Sequence, residues 1–408
     1  MMKWIVLFLP ILFYNLHCEG QKKQAAVWIY GDYNKLDFNF SPMKVSRTNA
    51  SGWVGAASIC DSNGVLQFFA NGTSIINWQS LQLVNFEQQY PQYGPGYYGC
   101  NIIIPFQSNP NLYQYFSVRG PLGNPARYRL FRFIVDMRLN GGSGGFDNSQ
   151  TKEVKDWVGT QLACLIHTNG KDTWLVARHW RSDSLVSLLV VDTGIVKAVY
   201  SKTGSPAAVP NIEGTGLVST YDSQLKSSPN SELLLNPRRR KEFPYHELYR
   251  FNRDSGTLSK PLYIHDTIKA SQFYINDFPD GAFSPDSRLL YVSTGTRNKP
   301  LNENDGPGHF WQYSLENYDS LAIAQSRIYL GLLGRGVPSK PEPWPFSPKF
   351  QLGMDGKIYI SPGIPYVDSL LSIIHCPNNR GSNCQLKFRE INLKKGRNAA
   401  YFPTLNQT

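Results

Sequence analysis

The chain has 408 residues, of which 13% are aromatic and only 17% charged, with 34 glycines and 27 prolines. That composition excludes a coiled coil or a bundle of long charged helices and favours many short strands and turns. The net charge of +11 is scattered, and its one dense run, Arg238-Arg239-Arg240-Lys241, reads as a solvated loop, so no nucleic-acid partner is expected.

In chain order, Lys3 precedes a nearly unbroken apolar run from Trp4 to Leu16, followed by Cys18-Glu19-Gly20. The run is too short to span a bilayer comfortably and sits where the apolar core of a signal peptide sits. Cleavage before Gln21 is expected, which makes residues 1–20 a signal peptide and 21–408 the mature chain. The rival reading is a lipid anchor at Cys18, against which stand Asn15 and His17 at positions that such a signal fills with aliphatic and small residues. No later segment is long and apolar enough to cross a membrane, so an exported protein of the periplasm or cell surface is expected.

Strand and turn signals then recur to the C-terminus without sustained helical periodicity. Val27 to Gly31 and Leu36 to Phe40 are short aromatic strands, and Asn63-Gly64 separates the apolar runs Ser58 to Cys60 and Val65 to Phe69. Asn-Gly between two such runs is a strong hairpin signal, because a tight connection needs the positive φ that glycine accepts cheaply. A four-strand unit is predicted over 26–85. Strands follow at Asn101 to Pro105, Tyr113 to Val118 and Arg129 to Val135. Asn169-Gly170 turns between Ala163 to His167 and Thr173 to Ala177, and Asp355-Gly356 between Lys349 to Leu352 and Lys357 to Ile360.

Small antiparallel sheets repeated every 40 to 60 residues cannot bury both faces alone. Arranged around an axis they shield one another, so the predicted fold is all-β: a single β-propeller of six to seven four-stranded blades, with seven favoured. Ala399 to Phe402 is the candidate closing strand.

Trp28-Ile29-Tyr30-Gly31, Ile59-Cys60-Asp61-Ser62-Asn63-Gly64, His167 to Val176, Phe283-Ser284-Pro285-Asp286-Ser287 and Gln351 to Ile360, taken in this order, resemble a known family. It is the WD40-like propeller region of Bacteroidota surface proteins associated with gliding motility and type 9 secretion. The resemblance implies a propeller in the cell envelope and supplies no catalytic residues. Two departures stand out. The Ser-Pro-Asp-Gly turn is degraded at Ser227-Ser228-Pro229-Asn230-Ser231, which predicts a distorted blade. The sequence also ends at Thr408 without adhesive repeats or a sorting domain, so export by another route is expected.

Six cysteines lie at 18, 60, 100, 164, 376 and 384. Cys376 and Cys384 bracket a short polar loop and are the candidate disulfide; a zinc site is the weaker reading, since only His375 stands beside them. The remaining histidines are dispersed, and neither a metal site nor a catalytic residue is assigned. Asp61, Asp172, Asp286 and Asp355 occupy turns, where their carboxylates are expected to hold backbone amides, with calcium coordination the minority reading. Gly141 to Gly145 lacks the Lys-Ser/Thr of a phosphate loop and reads as a linker between blades.

Aromatics on turn-rich stretches are the best binding candidates: Tyr93, Tyr97 and Tyr98, with Trp344 and Phe346. Such rings stack on sugars or grip peptides, or else fill space between blades. The leading functional expectation is a non-catalytic scaffold that binds an envelope protein or glycan without a cofactor. The runner-up is a propeller hydrolase or lyase acting on a polysaccharide. Three or more acids, arginines or histidines converging on a pocket in the central channel favour the enzyme, and an apolar or loop-plugged channel favours the binder.

Overall fold

The computed structural model describes residues 23–49, 51–52, 56–85, 101–120, 128–146, 150–179, 182–204, 224–239, 244–265, 280–294, 308–333, 348–362, 369–393 and 402–405. They form seven antiparallel sheets, which we number as blades 1 to 7 over 27–47, 57–85, 101–156, 158–202, 226–265, 280–333 and 349–392. Five blades have four strands, blade 1 has three and blade 3 has five. The unit predicted over 26–85 is thus two blades, separated after Lys44–Arg47.

The ring follows from alternation along the strands. Successive side chains of a strand point to opposite faces, and here both faces meet a neighbouring blade. In Thr173–His179 of blade 4, Leu175 and Ala177 join a core shared with blade 3, while Trp174 and Val176 join one shared with blade 5. In blade 6, Leu289 and Tyr291 face blade 7, and Leu290 and Val292 face blade 5. Seven such cores fill the seven gaps between consecutive blades, including the gap between blades 7 and 1, where Trp28, Tyr30 and Leu36 pack on Tyr359, Leu371 and Ile373. The seven-bladed ring is therefore closed.

An even number of strands returns the chain to the end where the blade began. Connections between the four-stranded blades consequently leave from one end of the ring, the linker face, and the hairpins that follow each inner strand lie at the other, the turn face.

On the turn face the connections after the inner strands share one construction. In blade 2 the Asp61 amide donates to the Val65 carbonyl, Gly64 donates to the Asp61 carbonyl, and Gly64 takes a φ of 88°. Asp61 Oδ1 accepts from the amides of Asn63 and Val65 at 2.9 Å each, the backbone role expected of it. The same turn appears at Ser228 to Leu233, where distortion was predicted. Ser231 adopts the left-handed φ of 59°, and the Ser228 hydroxyl bonds Asn230 Oδ1 at 2.6 Å. The Ser284-Pro285-Asp286-Ser287 turn matches it, with Ser287 at 62° and Ser284 Oγ on Asp286 Oδ1 at 2.6 Å. Blade 5 is regular because hydroxyl-to-side-chain bonding offsets the modest cost of a left-handed serine.

Neighbouring blades are latched at this face. Trp174 Nε1 of blade 4 donates to the Arg253 carbonyl of blade 5 at 2.8 Å, and Arg253 Nε returns a bond to the Ile166 carbonyl at 3.0 Å. The Asp192 carboxylate of blade 4 accepts the amides of Gln107 and Ser108 in blade 3 at 2.8 Å each. Gly141 to Gly145, expected to link two blades, connects strands within blade 3 instead, and the Ser143 carbonyl accepts from Asn77 Nδ2 of blade 2 at 2.8 Å.

Candidate functional site

The inner strands surround the ring axis, and several open on a polar residue: Asn101 in blade 3, Lys226 in blade 5, Asp280 in blade 6 and Lys349 in blade 7. All four are buried. The Lys226 ammonium reaches past blade 6 and donates to the Phe350 carbonyl of blade 7 at 2.8 Å, Gln351 Oε1 at 3.3 Å and Gln224 Oε1 at 2.9 Å. Three acceptors use its three protons. Burial holds its pKa below the ordinary lysine value, opposed by the charge of Asp280. Asp280 Oδ2 accepts the Phe350 amide at 2.9 Å, and Oδ1 has no hydrogen-bond partner.

Residues 402–405 cross this axis. Phe402 stacks on Tyr30 of blade 1, with ring centroids 4.8 Å apart, and packs edge-on to Trp28. The Thr404 amide donates to the carbonyl of Ala56, next to the inner strand of blade 2, at 2.8 Å. Gln224, just before the inner strand of blade 5, donates from Nε2 to Thr404 Oγ1 at 3.2 Å and to the Phe402 carbonyl at 3.4 Å. Blades 2 and 5 lie on opposite sides of a seven-membered ring, so this segment bridges it. Beside Lys226, a cavity of about 10 Å³ lined by Ser227, Pro229, Phe283, Phe350 and Gln351 is room for one water molecule.

Among the described residues, acids and histidines do not converge here. Glu247 is fully buried between blades 4 and 5, where Asn236 Nδ2 and the Tyr249 hydroxyl donate to its Oε2 at 2.7 Å each and Arg178 Nη1 lies 3.9 Å away. Burial, reinforced by the charge of Glu247, raises the Tyr249 pKa far above its usual value. His246 is buried with neither ring nitrogen bonded, and burial depresses its pKa to about 3. His375 pairs with Glu390 at 2.9 Å, and His309 Nδ1 meets the Tyr329 hydroxyl at 3.2 Å. Among the described residues no three His, Cys, Asp or Glu side chains are grouped as a metal site.

Of the residues singled out in the sequence, Tyr93, Tyr97, Tyr98, Trp344 and Phe346 lie outside the described residues. The strand ends flanking them are described. Gln82–Asn85 ends blade 2 and Asn101–Pro105 opens blade 3, just as Ile328–Leu333 ends blade 6 and Lys349–Leu352 opens blade 7. Both connections therefore leave from the linker face. Cys376 and Cys384 are free thiols in the structure, without the expected cross-link. Their loop is a latch instead. The Tyr291 hydroxyl of blade 6 donates to the Pro377 carbonyl at 2.8 Å, Gln312 Nε2 to the Asn379 carbonyl at 2.8 Å, and the Gly381 amide to Gln312 Oε1 at 2.9 Å.

Exposed apolar side chains gather on the turn face: Phe40 of blade 1 and Val65 of blade 2, both read from the sequence as strand residues, with Trp78 and Leu81 of blade 2 and Leu139 of blade 3, which that reading left without a role. Trp78 is 54% exposed.

No family model matches the chain, and no curated protein matches it. Among solved structures it is similar to a protein from Lactobacillus plantarum, with TM-score 0.50 and 10% identity over 92% of this chain and 97% of that one. It is also similar to the Dos1 propeller, with TM-score 0.45 and 9% identity over 91% and 82%, and to an oligogalacturonate lyase in complex with manganese, with TM-score 0.43 and 12% identity over 83% of each. At these identities the likeness is one of fold. No helix among the described residues is long and apolar enough to cross a membrane.

Proposed function

We propose that the chain is a non-catalytic binding propeller of a bacterial cell envelope, which holds a protein or glycan partner at its linker face. The observation that supports this reading most is the occupied axis. Propeller enzymes commonly work in an axial pocket, and here Lys226, Gln224, Gln351 and residues 402–405 satisfy one another's hydrogen bonds across that space. A lysine whose three protons are taken by protein acceptors is a structural cation with no proton poised for transfer. The binding residues in this reading are Tyr93, Tyr97, Tyr98, Trp344 and Phe346, on two connections of the same face. Residues 1–20 serve export, and the resemblance to Bacteroidota surface propellers belongs to the same reading.

The test is capture from envelope extract by the immobilised mature chain, alongside two variants. The first replaces Tyr93, Tyr97, Tyr98, Trp344 and Phe346 with serine; the second replaces Trp78 and Leu81 of the turn face with serine. Partners retained by the second variant and lost with the first are the expected result. Turnover of a polysaccharide by the purified chain would overturn the proposal, as would capture that both variants keep.

A further inference from the structure

Cys376 and Cys384 close the latch loop of blade 7. Ile374 pairs with Leu386, the His375 amide donates to the Gln385 carbonyl at 3.3 Å, and the Cys376 amide donates to the Cys384 carbonyl at 3.0 Å. The two cysteines thus face each other across the base of the loop, just beyond the ends of strands Leu370–Ile374 and Leu386–Asn392, with Cys384 closing the short 3-10 turn Gly381–Cys384. A direct backbone bond keeps their Cα atoms within the roughly 4.4 to 6.8 Å that a disulfide spans. Cys384 is buried at 1% exposure, whereas Cys376 is half-exposed, so one sulfur is open to a reagent and the other waits beside it. Cys60 and Cys164 are buried in two other cores, between blades 1 and 2 and between blades 3 and 4, and reach neither.

We propose that Cys376 and Cys384 form a reversible disulfide that fastens the latch between blades 6 and 7. The oxidant is a disulfide, either a small molecule or a thiol–disulfide oxidoreductase. The thiolate of Cys376 attacks one oxidant sulfur, the oxidant's S–S bond breaks, one of its sulfurs departs as a thiolate, and a mixed disulfide forms. The thiolate of Cys384 then attacks the Cys376 sulfur and expels the second oxidant thiol. The two cysteines lose two protons and two electrons, and the oxidant gains them. Burial raises the Cys384 pKa, which lowers the thiolate fraction available for this second attack.

The site of the bond gives it a consequence. The loop between the two sulfurs carries the carbonyls of Pro377 and Asn379 and the amide of Gly381, which hold Tyr291 and Gln312 of blade 6. Asn378 Oδ1 also accepts the Asp286 amide at 3.1 Å, and Arg380 donates to the Ser326 carbonyl at 3.1 Å. Closing the loop covalently removes open loop conformations in which these bonds are broken.

The experiment incubates the folded chain with glutathione disulfide, unfolds it in alkylating reagent and maps the products by mass spectrometry. The expected product has Cys376 joined to Cys384, lighter by two hydrogens, with Cys60 and Cys164 alkylated. Amide exchange at Gly381 should slow about tenfold on oxidation and recover with dithiothreitol, a change absent from Cys376→Ser and Cys384→Ser. Circular dichroism of both variants reports their folding, and the mapping on the unmodified chain stands without them. Alkylation of both cysteines after oxidation would overturn the proposal. So would a glutathione adduct on Cys376 that never resolves, or a bond from either residue to a different cysteine.

Discussion

In blade 4 four strands follow one another without interruption from Val158 to Lys202, and both faces are covered by blades adjacent in sequence. In blade 1 three strands between Val27 and Arg47 meet Phe402 and Leu405 on the axial side, from the opposite end of the chain. The packing chemistry is the same in both: an aromatic ring fills the gap, Trp174 in one and Trp28 in the other, each completely buried. The separation in sequence is what differs. Blade 4 assembles from local hairpins, while blade 1 waits for a contact that closes a loop of the whole ring, at an entropic cost that grows with the logarithm of its length. Identical side-chain chemistry therefore contributes to different steps of folding.

Trp174→Ala should give the largest effect. It removes a fully buried ring and strands the Arg253 carbonyl, and a loss of about 4 kcal/mol is expected in denaturant unfolding. Phe402→Ala removes the ring stacked on Tyr30 and should cost about 3 kcal/mol. Here the comparison can be broken. Hydrogen exchange in the Phe402 variant should quicken in residues 27–47 before residues 158–202, and equal acceleration in both would mean that closure is not separable from blade assembly.

The smallest effect at neutral pH concerns a site that belongs to neither region. His246→Leu should stabilise the chain by about 1 kcal/mol at pH 7, because it replaces two buried, unbonded ring nitrogens by carbon. The folded pKa of about 3 lies below the unfolded value, so the unfolded chain binds the extra proton as pH falls from 6.5 towards 3. Above pH 6.5 this titration leaves stability unchanged, and through that window stability falls by up to about 1.4 kcal/mol per pH unit. The leucine variant should lack this slope in thermal unfolding measured across pH.

Much of the ring was legible because its information is local. Asn63-Gly64, Asn169-Gly170 and Asp355-Gly356 all mark turns after inner strands, with positive φ at each glycine. Ser231 misled because left-handed geometry was sought in glycine alone, when a serine flanked by Ser228 and Asn230 adopts it. The single unit read over 26–85 failed for a related reason. A three-stranded blade completed from the far terminus has no four-strand signature of its own. Of the closing strand read over Ala399 to Phe402, residues 399–401 lie outside the described residues; Phe402 packs in the closure without belonging to a strand, and its partners were not legible.

The axial network was harder to read. Gln224 and Thr404 are 180 positions apart, and nothing in either neighbourhood names the other. The available hint was the charged residue that opens an inner strand, as at Lys226, Asp280 and Lys349. The latch loop shows the same limit. Its cysteine spacing was legible, but the carbonyls of Pro377 and Asn379 that hold the next blade are advertised by no sequence pattern.

The return of each four-stranded meander to its starting end separates two kinds of sequence change. Insertions into connections between blades are absorbed on one side of the molecule, leaving the hydrogen-bonded collar on the other side undisturbed. A lineage carrying this ring can therefore remodel that side by lengthening those connections, while the geometry that holds seven sheets at a common radius is inherited intact.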